Sequence, residues 1–333
     1  MADDAREDPG GHTVRVADTD LAFRVEAGER VLAAARRAGV WLPFECGWGS
    51  CGTCKVALLD GEVELLFPEA PTLDERDARR GRTITCQTTA TSDLTIKVRR
   101  LGPAEERPTA DYDAVLTEVV PLGPDISAFR FTLDRPADFR PGQYAILEPA
   151  PGLRRCYSMA GLPGGPEVEF VAKRYPGKPG SNALFDLAVG ASCPMELPYG
   201  DMWLRPGDDP VVLVAGGTGI SPVLSLVRQL AAAGHGGEVD VVFGANSRAE
   251  LVLWDELVSL VETLPRGRLH GVIASPGDDW SGLAGLAPDH LPTLLTGAER
   301  CYLAGPPGMV DATLQALRAC EVSLARTHYD RFG

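Results

Sequence analysis

The chain lacks the features that would mark a membrane or nucleic-acid-binding protein. No apolar run among its 333 residues approaches the roughly 20 that a membrane-spanning helix needs, and the longest clean one covers residues 211–215. The net charge of −14 disfavours nucleic acid as a partner, because that partner requires a basic face. Residues 1–11 have neither the basic start nor the apolar stretch of a secretory signal. We therefore expect a loose N-terminal tail and no membrane association.

Histidine is scarce, and cysteine is concentrated in one pattern. Four of the eight cysteines lie far apart in sequence, so we expect no disulfide framework and a reducing cytoplasm. The other four follow the spacing C-x4-C-x2-C with a last member some thirty residues later, and they are Cys46, Cys51, Cys54 and Cys86. This spacing is typical of the ligands of a plant-type [2Fe–2S] cluster. Only one C-x-x-C pair is present and no histidine lies near it, which disfavours a zinc site. Inert buried cysteines are the other alternative.

Glycines alternate with these cysteines. Gly47, Gly49 and Gly52 lie in the segment 46–54. A loop that wraps a cluster needs positive φ values and backbone amides directed at sulfur, because hydrogen bonds to the sulfurs help to set the reduction potential. Trp48 in the same loop marks either the surface where electrons leave or an aromatic lid over the cluster. An iron–sulfur centre implies one-electron transfer.

The first of three blocks along the chain covers residues 12–101 and reads as α+β. Its predicted elements are a hairpin over 12–17 and 21–25, a helix over 29–38, and strands over 55–59 and 94–98, with a polar stretch up to residue 82. Residues 102–110, with proline, glycine and charges but no apolar period, are predicted to be a linker.

The second and third blocks differ in their hydrophobic pattern. Residues 111–206 contain short β-like runs broken by proline and glycine, which predicts an antiparallel barrel or sandwich; these runs are 112–120, 128–133, 144–148, 167–172 and 193–197. Residues 207–333 alternate strands with helices, which predicts a parallel sheet covered on both faces. The predicted strands are 211–215, 239–243, 269–273 and 301–304, and the predicted helices are 220–233, 249–263 and 307–320.

Three motifs give these blocks an order. They are FRPGQY at 139–144, RCYS at 155–158 and GGTG at 216–219. In this order the chain resembles the ferredoxin–NADP reductase superfamily. With a ferredoxin-like block in front and the ending YDRF at 329–332, it is similar to the reductase components of bacterial multicomponent oxygenases, most of all those of toluene, phenol and alkene monooxygenases. The resemblance implies a β-grasp [2Fe–2S] domain, an antiparallel β-barrel that binds FAD, and a parallel-sheet domain that binds NADH.

A flavin site is predicted around the second motif. Tyr157 offers an aromatic face to a flat ring system, and Arg155 offers a bidentate donor to phosphate. The resemblance implies that the Ser158 hydroxyl lies near the ring nitrogen that accepts hydride. A surface cation is the plainer interpretation of Arg155, and a core aromatic that of Tyr157. The diphosphate is expected at the amides of a segment preceding a helix, formed by Gly180, Ser181 and Asn182.

A nicotinamide site is predicted where the strand over 211–215 ends in glycines at a helix start. The fingerprint G-x-G-x-x-G is absent, so it carries no weight here, and a plain strand–helix turn is the alternative. Ala304 stands where many relatives have cysteine before Gly-Pro, and Cys301 is expected in the core. The site residues implied by the resemblance are Gly216, Gly217, Thr218, Gly219, Gly305 and Pro306 for binding, with Ser158, Thr218 and Phe332 at the reacting centre.

The predicted function is a relay from NADH through FAD and the cluster to an oxygenase component. NADH is favoured over NADPH, because the oxygenase reductases that the chain resembles mostly take NADH. Arg248 could pair with a 2′-phosphate, but a solvated side chain before Glu250 is the simpler interpretation. A reductase that serves a deoxysugar dehydratase has the same layout and is the alternative. A redox sensor and a zinc-stabilised flavin reductase are the rivals from other classes.

Overall fold

The computed structural model describes residues 10–44, 47, 49, 51–67, 70, 72–102, 107, 109–207, 209–277 and 280–332. The chain divides between Ala110 and Asp111 into two compact units. None of the helices in these ranges is long and apolar enough to cross a membrane.

The first unit is a five-stranded mixed sheet with one helix packed on it, which is the β-grasp arrangement. The strand order is β2-β1-β7-β3-β5, and β1 and β7 are parallel. Val31, Leu32 and Ala35 of the helix are buried in the core of this unit. The elements are β1 His12–Val16, β2 Ala22–Val25, α1 Val31–Arg37, β3 Lys55–Asp60, β4 Val63–Leu65, α2 Glu75–Arg79, β5 Arg82–Ile84, β6 Thr88–Ala90 and β7 Leu94–Lys97.

The polar stretch of this unit contains more structure than its composition suggests. Helix α2 begins after Asp74, whose carboxylate accepts a hydrogen bond from the amide of Asp77. That cap supplies one of the acceptors that a helix start needs. Strand β4 pairs with β6 in a separate two-stranded sheet. The predicted helix at 29–38 is shorter than expected, because it begins at Val31.

The second unit begins with two antiparallel sheets. Their strand orders are β13-β10-β9 and β12-β11-β14-β8. The strands are β8 Ala110–Tyr112, β9 Ala114–Pro121, β10 Ile126–Leu133, β11 Tyr144–Ala150, β12 Leu153–Ser158, β13 Glu167–Lys173 and β14 Met195–Tyr199, with helix α3 Pro179–Phe185 between β13 and β14. Strand β12, which contains the RCYS motif, was not among the predicted strands.

A six-stranded parallel sheet completes the second unit. Its strand order is β18-β17-β16-β15-β19-β20. The strands are β15 Val211–Gly216, β16 Glu238–Ala245, β17 Arg266–Ile273, β18 Leu283–Ala284, β19 Arg300–Gly305 and β20 Thr327–Arg331, and the helices are α4 Ile220–Ala232, α5 Trp254–Glu262, α6 Ala287–His290 and α7 Pro307–Ala319. Apolar clusters cover both faces of this sheet. The chain order reverses between β15 and β19, and ligands of open α/β sheets bind at the carboxyl ends of strands at such a point.

The antiparallel and parallel parts of the second unit are joined by partly buried polar contacts. The guanidinium of Arg228 on α4 donates to the carbonyl of Ala160 at 2.9 Å and to the carboxylate of Glu169 at 3.2 Å. The ammonium group of Lys173 on β13 lies 2.8 Å from the carboxylate of Glu250. These contacts fix the parallel sheet against the end of β12 and β13.

Candidate cofactor sites

The described cysteines of the predicted cluster are held by two turns of the first unit. Cys54 immediately precedes β3, and Cys86 lies in a 3-10 turn between β5 and β6. Both are buried, and their sulfurs are 3.2 Å apart. Cys51 is exposed, and its sulfur accepts a hydrogen bond from the amide of Thr53 at 3.4 Å. Within the described part of the chain no three potential metal ligands converge; Cys46 and Trp48 lie outside that part.

The loop before Cys54 has a backbone that only glycine fits. Gly49 and Gly52 have φ values of +103° and +78°. A Cβ atom at Gly52 would lie 2.3 Å from Oγ1 of Thr72, and one at Gly49 would lie 3.2 Å from Cγ of Gln87. The loop therefore runs close to its surroundings with left-handed residues, as a backbone wrapped around a cluster requires. Two buried adjacent thiols and this glycine loop fit a [2Fe–2S] cluster.

The ammonium group of Lys55 holds the segment that packs against the glycine loop. Lys55, the residue after Cys54, donates from Nζ to the carbonyl of Thr72 at 2.7 Å and to the carboxylate of Asp77 at 2.5 Å. The hydrogen bond from Lys55 is the main reason that the pKa of Asp77 lies below its usual range. Thr72, which lies against the position of Gly52, is thereby fixed by the residue that follows Cys54, a predicted cluster ligand.

Strand β12 places the predicted flavin residues on one edge of the antiparallel sheets. Arg155 lies against helix α3, since a Cβ atom at Gly180 would lie 2.4 Å from its Nε. Tyr157 makes an edge contact with Phe170, with ring centroids 6.5 Å apart, and burial raises its pKa. Ser158 is buried and pairs with Tyr144 of the FRPGQY segment. The structure thus brings two of the three motifs together.

The diphosphate segment differs from its prediction in one respect. Gly180, Ser181 and Asn182 lie inside α3 instead of preceding it. The amide of Asn182 donates to the carbonyl of Lys178 within the helix, so at most the amides of Gly180 and Ser181 are available to an anion. The missing side chain of Gly180 lets Arg155 lie along the helix, which places a guanidinium group, a donor suited to a diphosphate, beside the start of α3.

The two glycine turns of the parallel sheet meet at its carboxyl edge. Strand β15 ends at Gly216, and Gly217–Gly219 form a 3-10 turn that leads directly into α4. A Cβ atom at Gly219 would lie 2.0 Å from the carbonyl oxygen of Ala304. One at Gly216 would lie 3.2 Å from Cδ of Pro306, and one at Gly305 would lie 2.5 Å from Cε of Met309. The two turns therefore pack against each other through glycines. Thr218, which lies between Gly217 and Gly219 in the first turn, is half-buried.

The C-terminal segment reaches the same edge. The amide of Phe332 donates to the carbonyl of Gly305 at 2.9 Å, and its half-buried ring packs against the core of the second unit. Strand β20 brings it there by pairing parallel with β19. Cys301 is buried in β19, and burial raises its pKa to about 12, consistent with a core position. Arg248 is exposed in the turn after β16.

Sequence reasoning missed one residue of this edge. The hydroxyl of Ser221, near the start of α4, donates to the carbonyl of Ser158 at 2.6 Å. The two residues are 63 positions apart, and a serine after a glycine turn carries no local signal of such a partner.

Known proteins share both the parts and the layout of this chain. The family model described as "2Fe-2S iron-sulfur cluster binding domain" matches residues 14–91, and that described as "Oxidoreductase NAD-binding domain" matches residues 213–315. The ferredoxin–NAD(+) reductase component of the alkene monooxygenase system of Xanthobacter autotrophicus is 38% identical over 93% of this chain and 97% of its own length.

Solved structures agree with this relationship. The ferredoxin reductase in carbazole 1,9a-dioxygenase has a TM-score of 0.88 and 29% identity, covering 97% of this chain and 99% of its own. Its FAD apo form has a TM-score of 0.82 and 28% identity, with 97% and 99% covered. The fold and the sites define an iron–sulfur flavoprotein oxidoreductase that uses NAD(P)H. More particularly, the chain belongs to the family of reductase components of oxygenase systems.

Proposed function

We propose that this protein takes electrons from NADH and delivers them singly to the hydroxylase component of a monooxygenase. The observation that carries the proposal is the meeting of the two glycine turns with the end of β12, where Ser221 of the nucleotide-binding part bonds to Ser158 of the flavin-binding part. A hydride donor and a hydride acceptor have to be held side by side, and this junction is where two such sites adjoin. The relative from the alkene monooxygenase system supports the acceptor class.

The residues divide the work among three cofactors. When bound, FAD takes the pair of electrons from NADH and passes them one at a time to the [2Fe–2S] cluster. Arg155, with the amides of Gly180 and Ser181, holds the FAD diphosphate, and Tyr157 covers the ring. The Ser158 hydroxyl orients the reacting edge of the ring. Cys46, Cys51, Cys54 and Cys86 hold the cluster.

The nucleotide site rests on the paired turns. The amides at the start of α4 meet the pyrophosphate of NADH, and Gly305 with Pro306 forms the opposite wall. Thr218, in the first of these turns, would contact the nicotinamide nucleotide, and Phe332, whose amide donates to the carbonyl of Gly305, would lie against the flavin ring.

NADH is the proposed donor. Glu250, which follows Arg248 in the turn after β16, is tied to Lys173 and accepts from Nδ2 of Asn246 at 3.1 Å. Glu250 neutralises the Lys173 ammonium group, so this cation does not attract a 2′-phosphate at the turn where the adenosine ribose would lie. We expect a higher kcat/KM for NADH than for NADPH. Glu250→Gln should narrow that ratio, and an unchanged ratio would contradict this role.

Rapid anaerobic mixing with NADH tests the relay. The purified protein should be red-brown with two irons per chain, its flavin absorbance should bleach first, and cluster reduction should follow. Cytochrome c should then be reduced. Flavin bleaching without cluster reduction would contradict the relay, and so would a colourless protein after anaerobic purification. We also propose a cytoplasmic location, which is supported by the free thiols of Cys193, Cys301 and Cys320.

A further inference from the structure

We propose that Ser221 is a positioning residue for hydride transfer, because its hydroxyl replaces a backbone hydrogen bond between β12 and β13 next to Ser158. This inference rests on the proposed function, since it assigns Ser158 to the flavin. Ser221 is the second residue of α4 and is only 1% exposed. Its hydroxyl lies between a strand that belongs to the flavin site and a helix that belongs to the nucleotide site.

The register of the two strands shows what the hydroxyl replaces. Met159 forms a bridge with Phe170, and the amide of Ala160 donates to the carbonyl of Glu169 at 2.8 Å. Continued by one step, this antiparallel register would join the amide of Val171 directly to the carbonyl of Ser158. Instead, the amide of Val171 donates to Oγ of Ser221 at 3.4 Å, and Oγ of Ser221 donates to the carbonyl of Ser158 at 2.6 Å.

The Ser221 hydroxyl donates one hydrogen bond and accepts another at the same time. One O–H donor and one lone pair satisfy two backbone groups that would otherwise pair with each other. The strands therefore separate at Ser158, and the separation is set by a residue of α4, three positions after Thr218 in sequence. The position of Ser158 is thus coupled to the turn that binds the nucleotide. These two elements would hold the flavin and the nicotinamide, so their spacing would set the distance between the two reacting groups.

Removing the hydroxyl has two structural outcomes, and both move Ser158. In Ser221→Ala the amide of Val171 can close onto the carbonyl of Ser158, or water can enter a buried site and separate the strands differently. Either shift misplaces the reacting edge of the flavin relative to the nicotinamide without removing a group that touches NADH. We therefore expect the rate constant of hydride transfer to fall about 10-fold or more, with the apparent Kd for NADH changed less than about twofold.

Two variants of the full-length holoprotein separate positioning from general packing. Ser221→Thr keeps a hydroxyl on the same backbone atom and should restore the rate to within about threefold, even if its extra methyl lowers the melting temperature. Ser225→Ala is the matched control. Ser225 is equally buried one turn further along α4, and its hydroxyl donates to the carbonyl of Gly161 at 2.6 Å, beyond the end of the shared register.

The measurements are stopped-flow bleaching of the flavin by NADH and hydrogen exchange of the Val171 amide. Ser221→Ala should slow bleaching at saturating NADH and change the exchange rate at Val171, whereas Ser225→Ala should do neither. The proposal is overturned if Ser221→Ala bleaches at the wild-type rate, or if Ser225→Ala slows bleaching equally. If NADH does not bleach the flavin of the wild-type protein, the proposed function is wrong, and the role of Ser221 in hydride transfer is excluded as well. The exchange rate at Val171 then still decides whether the hydroxyl joins the two strands.

Discussion

At Gly180, adding a single methyl group should weaken FAD binding without lowering the stability of the protein. Its absent Cβ would lie within 2.4 to 2.9 Å of three side-chain atoms of Arg155. The Arg155 side chain has to move from its Cγ atom outward to make room, and this cost is offset because alanine is the better helix former by about 1 kcal/mol. Gly180→Ala should therefore leave the melting temperature of the FAD-free protein unchanged or higher, while the Kd for FAD rises about 10-fold.

Fluorescence titration of the FAD-free protein measures this effect. Gly236→Ala is the control, because a Cβ atom there has no heavy atom within 4 Å. An unchanged Kd for FAD in Gly180→Ala would show that Arg155 does not hold the dinucleotide.

Arg154, the neighbour of Arg155, is buried in an ion pair with a carboxylate of the protein, whereas Arg155 is proposed to bind the cofactor. Its guanidinium donates to the carboxylate of Glu196, and the two side chains are 8% and 10% exposed. Burial alone would lower the pKa of Arg154, but the charge and hydrogen bond of Glu196, together with the nearby Tyr199 and Cys156, outweigh burial and the pKa is raised. Glu196→Ala leaves a buried cation without its partner and should cost about 3 to 5 kcal/mol of unfolding free energy.

Replacing both partners should cost far less. The double variant Arg154→Met with Glu196→Leu fills a similar volume without charge and should lie within about 1 kcal/mol of wild type. Urea unfolding measures both variants. A double variant as unstable as Glu196→Ala would show that the pair stabilises the fold directly.

At the scale of elements, Asp240 links strands β16 and β17 through charge. It is 4% exposed, and it accepts hydrogen bonds from Arg268 at 2.6 and 2.8 Å and contacts Nε2 of His270 at 2.9 Å. Burial alone would raise the pKa of Asp240, but the hydrogen bonds from Arg268 and His270 lower it overall. A lowered folded-state pKa adds stability above the unfolded value of about 4, and this stability is lost as the pH falls through the folded value.

Asp240→Asn should remove that dependence. We expect it to lower the unfolding free energy by about 1 to 3 kcal/mol at pH 7, and the difference from wild type should shrink below about pH 4. Asp311→Asn, which breaks an exposed pair with Arg331, should change stability by less than about 0.5 kcal/mol. A constant difference between Asp240→Asn and wild type from pH 7 to pH 3 would contradict the role of its ionised form.

The elements that sequence reasoning found and missed differ in where their partners lie. Strands β15 and β19 are buried runs of apolar residues, so the pattern itself predicts them. Strand β12 contains adjacent arginines, and Arg154 is buried only because of Glu196, which is 42 residues away. Helix α2 has Asp77 as its buried residue, and that carboxylate depends on Lys55 and Arg82. A charge that is buried by a distant partner looks like a surface charge in the sequence.

The same limit applied to the candidate site. The cysteine spacing and the glycine turns are local patterns, and the structure places Cys54 beside Cys86 and Gly219 beside Ala304. The contact of Ser221 with Ser158 joins two blocks that periodicity treats separately. Site residues that belong to one loop could be predicted from their spacing, whereas a contact between residues of two blocks could not.

At the scale of the whole molecule, the division at Ala110 assigns the cluster and the nucleotide-binding sites to units with separate cores. Val14, Leu32 and Ile96 belong to the core of the first unit, and Leu213 and Phe243 belong to that of the second. Each core is built from residues of its own unit, which is the property expected of segments that fold alone.

Residues 110–333, which retain all of β8, should therefore fold when produced without the first unit. This fragment should bind FAD and reduce ferricyanide with NADH at a rate within about threefold of the full chain, because the contacts of Arg155, Ser158 and Ser221 lie within it. It should contain no iron and lose the reduction of cytochrome c, since the one-electron donor belongs to the other unit. Iron analysis and the two acceptor assays measure this separation. A fragment that folds but fails with ferricyanide would show that hydride transfer needs the first unit, and one that still reduces cytochrome c at the full rate would show that electrons leave from the flavin.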